Sequence, residues 1–245
     1  MKCVAIVQAR MGSTRLPGKV LLDIAGRPML AHVVERARLC REVDDVIVAT
    51  STHSNDDEIV SACRRLDVRV FRGSESDVLD RYAGAAAFAS ADSCVRITAD
   101  CPLLDPGVSD RIVSAFKTAR PPVDYASNKI PQSFPRGLDT EVFTRAALER
   151  ARREAVQPHH RIHVTPYLYE NPASFRLLSI TSDVDRNHWR WTVDCQADLE
   201  FVRAVHEHFR PRTTFSWAEV VELVESHPAL MEINKNVTQK NVMDG

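Results

Sequence analysis

The sequence predicts a three-layer α/β fold in which a mostly parallel central sheet is flanked by helices, with a smaller region inserted into it. Two observations carry this. VAIV at 4–7, VIVA at 46–49, VRVF at 68–71 and CVRI at 94–97 are short β-branched runs, each followed by a helix-like stretch. Continuous apolar runs of that length read as strands buried on both faces, and a β-α-β-α rhythm builds a parallel sheet with helices on either side.

Taken in order, residues 28–39 carry apolar side chains at helical spacing, Asn55 and Glu58 read as a capping box opening the next helix, and 78–89 is an alanine-rich helix. After Ala119 the pattern changes. PPVDY and PQSFPRGLD bring prolines and Gly137 into shorter elements, read as an excursion from the sheet. A helix is expected at 144–155 and extended chain at 175–180. WRWTV at 189–193 reads as a strand that ends at Asp194, returns the chain to the sheet and leads into an amphipathic helix at 197–208. A last helix begins at Ser216, whose capping box closes with Glu219, and the polar tail from Asn234 reads as frayed. The expected organisation is a single domain over 1–245, with an inserted region at about 125–188 and a short helical extension at 211–245.

Composition limits the partners. With 32 basic against 33 acidic residues the formal net charge is -1, so there is no global positive field to hold DNA or RNA. Six cysteines, at 3, 40, 63, 94, 101 and 195, show no CxxC pair, which implies reduced thiols and a reducing compartment. The apolar run at 3–7 stops at Gln8 and Arg10, too short for a signal segment or a membrane span. The expectation is a cytoplasmic protein with neither nucleic-acid nor membrane partner.

The most informative segment is IVQARMGSTRLPGKV at 6–20, where a buried strand runs into a loop holding Arg10, Gly12, Ser13, Thr14, Arg15 and Lys19. Glycine lets backbone N–H groups approach phosphate oxygens, arginines bind them bidentately, and a lysine adds a compact charge. The loop is not a P-loop, because five residues separate Gly12 from Gly18 and Val20 stands where Ser or Thr would hold magnesium. Charge clusters usually just stay solvated. Three cations and a small-residue turn directly after the first strand are a tighter combination than solubility requires.

Asp100 follows CVRI at its carboxyl end and Asp194 follows WRWTV, so both should face the crevice that the phosphate loop faces. Two such carboxylates suit a hard cation bridging triphosphate oxygens, which makes them the candidate magnesium ligands, with manganese as a substitute. Aspartates in such places also cap helices, as Asp105 and Asp198 are expected to. Asp183 and Asp185 form a DxD, a pattern by which glycosyltransferases hold a metal and a nucleotide sugar, but acidic turns commonly only face water.

Taken together, QARMGSTRLPGKVL at 8–21, VFRGSESDVLDRY at 70–82, RITADCPLLDP at 96–106, FPRGLDTEVF at 134–143, HVTPY at 163–167 and RWTVD at 190–194 carry a family resemblance. The chain resembles the cytidylyltransferases that include spore coat polysaccharide biosynthesis protein F and, more distantly, the CMP-3-deoxy-manno-octulosonate and CMP-sialate synthetases. The resemblance implies a nucleotidyltransferase fold, usually homodimeric, in which an acceptor attacks the α-phosphorus of CTP and pyrophosphate leaves. It implies that Ala9, Arg10, Gly12, Ser13, Arg15 and Lys19 hold the triphosphate, with Lys19, Arg10 and Arg15 neutralising the departing pyrophosphate. Asp100 and Asp194 would hold the metal, Arg72, Gly73, Ser74, Arg96 and Thr98 the base and ribose, and Asn128, Arg136, Gly137, Asp139 and His163 the acceptor.

Departures fall on the acceptor side. Arg136 stands where the family carries an acidic residue, and His160-Arg161-Ile162-His163 stands where it carries EREH. The pocket is thus more basic than the family pattern, as an acceptor bearing carboxylate or phosphate would require. His159, His160 and His163 also form an HHxxH, a pattern found more often at surfaces and interfaces than around nickel or zinc. The rival readings are a sugar-1-phosphate nucleotidyltransferase using another nucleotide, a glycosyltransferase built on Asp183 and Asp185, and a nucleotide sensor without turnover.

Overall fold

Strand β1 (Cys3–Gln8) is apolar from Cys3 to Val7 because its alternate side chains enter two separate cores. Cys3, Ala5 and Val7 pack into one, Val4 and Ile6 into the other. The computed structural model describes residues 1–239. After β1 come a small hairpin, β2 (Asp23–Ile24) and β3 (Arg27–Pro28), helix α1 (Met29–Arg38), β4 (Asp45–Ser51), α2 (Asp57–Arg65), β5 (Arg69–Gly73), α3 (Val78–Phe88), β6 (Ser93–Thr98) and α4 (Pro106–Thr118). The four predicted strands are therefore all present, and β5, β4, β1 and β6 lie side by side and parallel. Val7 pairs with Val48 on one side and Ile97 on the other, which brings the carboxyl ends of β1, β4 and β6 to one edge.

The segment read as an excursion instead completes the sheet. It supplies β7 (Tyr125–Ser127), β8 (Glu141–Thr144), α5 (Arg145–Glu154), α6 (Pro158–His163), α7 (Pro166–Tyr169) and β9 (Leu177–Ser179). Strand β8 runs antiparallel to both β6 and β7, and the sheet order is β5-β4-β1-β6-β8-β7-β9. Strand β9 lies within the extended chain expected at 175–180, whereas β7 and β8, three and four residues long, give too short a period to be read from sequence. The chain ends with α8 (Gln196–His208), α9 (Trp217–Ser226) and α10 (Ala229–Glu232).

Three local expectations are corrected. Asn55 does not cap a helix: it lies inside a 3-10 turn, Ser54–Asp56, capped by the His53 ring, which accepts from Asn55 N–H at 3.2 Å. WRWTV is extended but joins no sheet. Among the described residues it makes one isolated bridge, Arg136 with Arg190. Nor is Asn234 frayed, being buried with its amide donating to Arg190 O at 2.9 Å and Asp198 Oδ1 at 3.1 Å. Of the rest of that tail, residues 240–245 lie outside the described residues. The Ser216 capping box with Glu219 and the Asp105 cap on Val108 N–H form as expected. All six cysteines are free, and no described helix is long and apolar enough to cross a membrane.

Candidate active site

At the carboxyl edge of the sheet the chain leaves β1 and makes a tight loop. Ala9 N–H still bonds Ala49 O at 3.1 Å, Met11 O accepts from Ser13 N–H at 2.8 Å and Gly18 N–H at 3.1 Å, and Ser13 Oγ accepts from Leu16 N–H. The loop is pinned from beneath by a residue that the sequence reading passed over. Asp56, buried after β4, accepts from Met11 N–H at 2.8 Å, Thr50 Oγ1 at 2.9 Å and the Ser51 hydroxyl and N–H. Burial pushes its carboxyl up, and these hydrogen bonds, Ser51's first, outweigh that and hold it ionised below the ordinary value. Its position after a strand end, like that of Asp100, was the available signal.

Lys19, nearly buried, reaches from the loop's far end to the two strand-edge carboxylates. Its ammonium lies 2.7 Å from Asp100 Oδ2, 2.8 Å from Asp194 Oδ1 and 2.8 Å from Val193 O. Burial alone would depress its pKa, but the charges of Asp100 and Asp194 raise it, so it stays protonated. Asp100 is likewise pushed up by burial, then held down to about 2 by Lys19. Arg15 adds a second cation at 3.1 Å from Asp194 Oδ2. A third, Arg190, donates to the same oxygen at 2.6 Å and also pairs with Asp198 on α8. The segment 189–193 is held in place through Asp100 O, which accepts from Val193 N–H at 2.8 Å and Thr192 Oγ1 at 3.2 Å. Arg190 was legible only as a residue four positions before Asp194.

Not every expected contact residue faces open space. Arg10, Gly12 and Thr14 are exposed, and Arg10 has no hydrogen bond or ion pair among the described residues. Arg72, by contrast, is spent on Ser51 O, His53 O and Asp57, and Ser74 stabilises the start of α3 by accepting from Asp77 N–H and Arg81. Gly73 O accepts from Thr52 N–H. Arg96 pairs at 2.6 Å with Glu141, which also accepts from Tyr125 OH and Thr165 Oγ1. The Thr98 hydroxyl meets the Cys101 thiol at 3.3 Å. Asn128 is fully buried and clamps the turn after Pro135, donating to Leu138 O and accepting from Thr140 N–H. Gly137 has φ +108, and a Cβ there would lie 2.7 Å from Trp191 C, so its smallness lets the 189–193 segment approach. Asp139 accepts from Gln132, and burial raises its pKa despite Lys129 nearby. The Arg136 backbone bonds Trp189 O and Trp191 N–H, and its guanidinium has no hydrogen bond among the described residues. His163 closes α6. Asp183 and Asp185 are exposed, and Asp185 caps its own turn through Asn187 N–H at 2.9 Å.

Among the buried polar atoms without a hydrogen-bond partner are Gln8 Oε1 at the end of β1, Nε of Arg96 on β6, and Nε and Nη2 of Arg81 on α3. Buried polar atoms are normally satisfied. Orphans at the carboxyl edge of a parallel sheet are what a polar ligand would complete.

A parallel sheet covered on both faces, with a cationic loop after its first strand and two carboxylates on the same edge, is the framework of a nucleotidyltransferase. The chain belongs to the cytidylyltransferase family, whose model matches residues 4–240. It is 39% identical over 243 residues to an uncharacterized protein of Methanocaldococcus jannaschii, covering 98% of each chain. It is 32% identical to the spore coat polysaccharide biosynthesis protein SpsF of Bacillus subtilis, over 91% of this chain and 94% of that one. Among solved structures, a cytidylyltransferase from Leptospira borgpetersenii superposes with a TM-score of 0.91 at 32% identity, covering 98% of this chain and all of that one (100%). A CMP:2-keto-3-deoxy-manno-octonic acid synthetase complexed with CTP shares the fold, with a TM-score of 0.67 at 23% identity over 85% of this chain and 99% of that one.

Proposed function

We propose that this protein transfers CMP from CTP to a small anionic, sugar-like acceptor in the cytoplasm, releasing pyrophosphate, for the synthesis of an activated sugar or surface polysaccharide. The observation that carries the reading is the Lys19 ammonium placed between Asp100 and Asp194 beneath the 9–18 loop. The oxygens that now share a point cation are hard donors on one edge, and Asp100 Oδ1 lies 3.6 Å from the Cys101 thiol, so the pair suits magnesium, or manganese in its place. When bound, that metal would polarise the α-phosphate and acidify the acceptor hydroxyl.

The chain's own part is positioning and charge. The loop amides, set by Asp56, bind the triphosphate, and Arg10, Arg15 and Lys19 take up the negative charge that grows on the departing pyrophosphate. Gln8 offers its unpaired oxygen to the exocyclic amine of cytosine, a donor that uracil lacks. On the acceptor side the unbonded Arg136 guanidinium suits a carboxylate or phosphate.

The test is pyrophosphate release from each nucleoside triphosphate with magnesium, against a panel of ulosonic acids and sugar phosphates. Release with CTP and one anionic acceptor is expected. Release with another nucleotide, or of a nucleoside diphosphate, would overturn the reading. The same reading includes a homodimer formed through 125–188, and light scattering giving the mass of one chain would remove that part.

A further inference from the structure

The short helices α6 and α7 fold back on one another well away in sequence from Asp100 and Asp194. Pro158 opens α6, a position where its missing N–H costs nothing, and so places His159 and His160 in the first turn. Glu170 ends α7, its N–H bonded to Pro166 O at 2.9 Å. His159 Nε2 lies 3.2 Å from both Glu170 oxygens, and His160 Nε2 lies 2.7 Å from Oε2. The ligand atoms of all three residues fall within 4.8 Å of one another. We infer that His159, His160 and Glu170 form a site for a borderline divalent cation, zinc foremost, separate from the carboxylate pair of the nucleotide edge.

Ligands at 2.0–2.2 Å around tetrahedral zinc are spaced about 3.3 Å apart, which the 3.2 Å His159–Glu170 separations match, while His160 and Glu170, now 2.7 Å apart, would part slightly around the ion. Imidazole nitrogen favours zinc, nickel or cobalt over magnesium, which binds oxygen, so the two sites take different metals. The third ligand is Glu170, which no spacing in HHxxH could have indicated. The histidine side chains are 13% and 8% exposed and Glu170 is 40% exposed, which leaves one side open for a water ligand. Tyr167 packs edge-on against His160 at 5.4 Å and limits its ring to this orientation. A cation here would fasten α6, whose Arg161 pairs with Asp77, the N-cap of α3.

The experiment uses the full chain without a purification tag, stripped with a chelator. Zinc is titrated calorimetrically, and cobalt is added separately for its visible absorption. Expected are about one zinc per chain, a visible cobalt band, and a zinc-dependent rise in melting temperature. His160→Gln and, independently, the more accessible His159→Gln should each weaken zinc about 100-fold, at the upper end of what losing even an outer partner costs. Asp100→Asn should leave zinc affinity unchanged. Absence of zinc binding, wild-type affinity in both histidine variants, or loss of binding in Asp100→Asn would each overturn the inference, whatever the outcome for nucleotidyl transfer.

Discussion

Lys19 holds together two carboxylates that would otherwise repel each other, and its three donors go to Asp100, Asp194 and the Val193 carbonyl. Replacing it with alanine is expected to cut turnover well over tenfold, above ~1.4 kcal/mol in the barrier, with CTP as donor; near-normal steady-state turnover would remove its assigned role. Asp56 acts at one remove. Asp56→Ala takes away a charged acceptor from Met11 N–H, a bond worth ~1.5–3 kcal/mol, so the KM for CTP should rise about tenfold or more while kcat changes less. An unchanged KM would mean that the loop holds itself. The cationic loop and Asp100 were legible because chain leaving a buried strand must emerge at that edge, whereas Asp194 follows a segment that is no strand of the sheet. The internal partners of Arg72, Arg96 and Asn128, which are Ser51, Glu141 and Leu138, were not legible because they are distant or in unrecognised turns.

Among the elements, the extended segment 189–193 is the one on which the site depends most. It delivers Asp194 and Arg190 without being a strand, because Gly137 lets it lie against the turn that precedes β8. Gly137→Ala would meet backbone atoms at 2.7–2.9 Å in a conformation that disfavours a side chain. A loss of about 2 kcal/mol or more in urea unfolding is expected, together with weaker activity as Asp194 shifts; a wild-type midpoint would show that the segment has slack. The periodic helices were readable from their own residues, down to the Ser216 cap. Strand β9 falls within the extended chain expected at 175–180, but β7 and β8 were not readable, since they offer only three and four residues and the prolines around them signal interruption.

For the whole molecule, acid should be the weak point. Burial pushes Glu141 up, and Lys129, Arg96 and hydrogen bonds from Thr165 and Tyr125 bring it down to about 2, against an ordinary 4.5. Asp100 stands at about 2 against 3.8. Carboxyls depressed in the fold contribute stability that is complete above their ordinary values and is lost as pH falls through the folded ones. The melting temperature should therefore hold above pH ~5 and fall steeply between pH ~4.5 and ~2, and Glu141→Gln should lower it at neutral pH while flattening that slope. Ligand linkage offers a second measurement. CTP with magnesium at about 100 times its Kd should stabilise the fold by ~2.7 kcal/mol, and GTP should not; equal shifts would leave the cytosine assignment without support. What the sequence alone determined were the buried parallel strands, the edge where the cationic loop and Asp100 emerge, and the family, because periodicity and strand-end position follow from neighbouring residues. Only the tertiary structure decided which cations are spent and which stay open. Lys19 meets partners 81 and 175 positions away, and that choice belongs to how the elements pack.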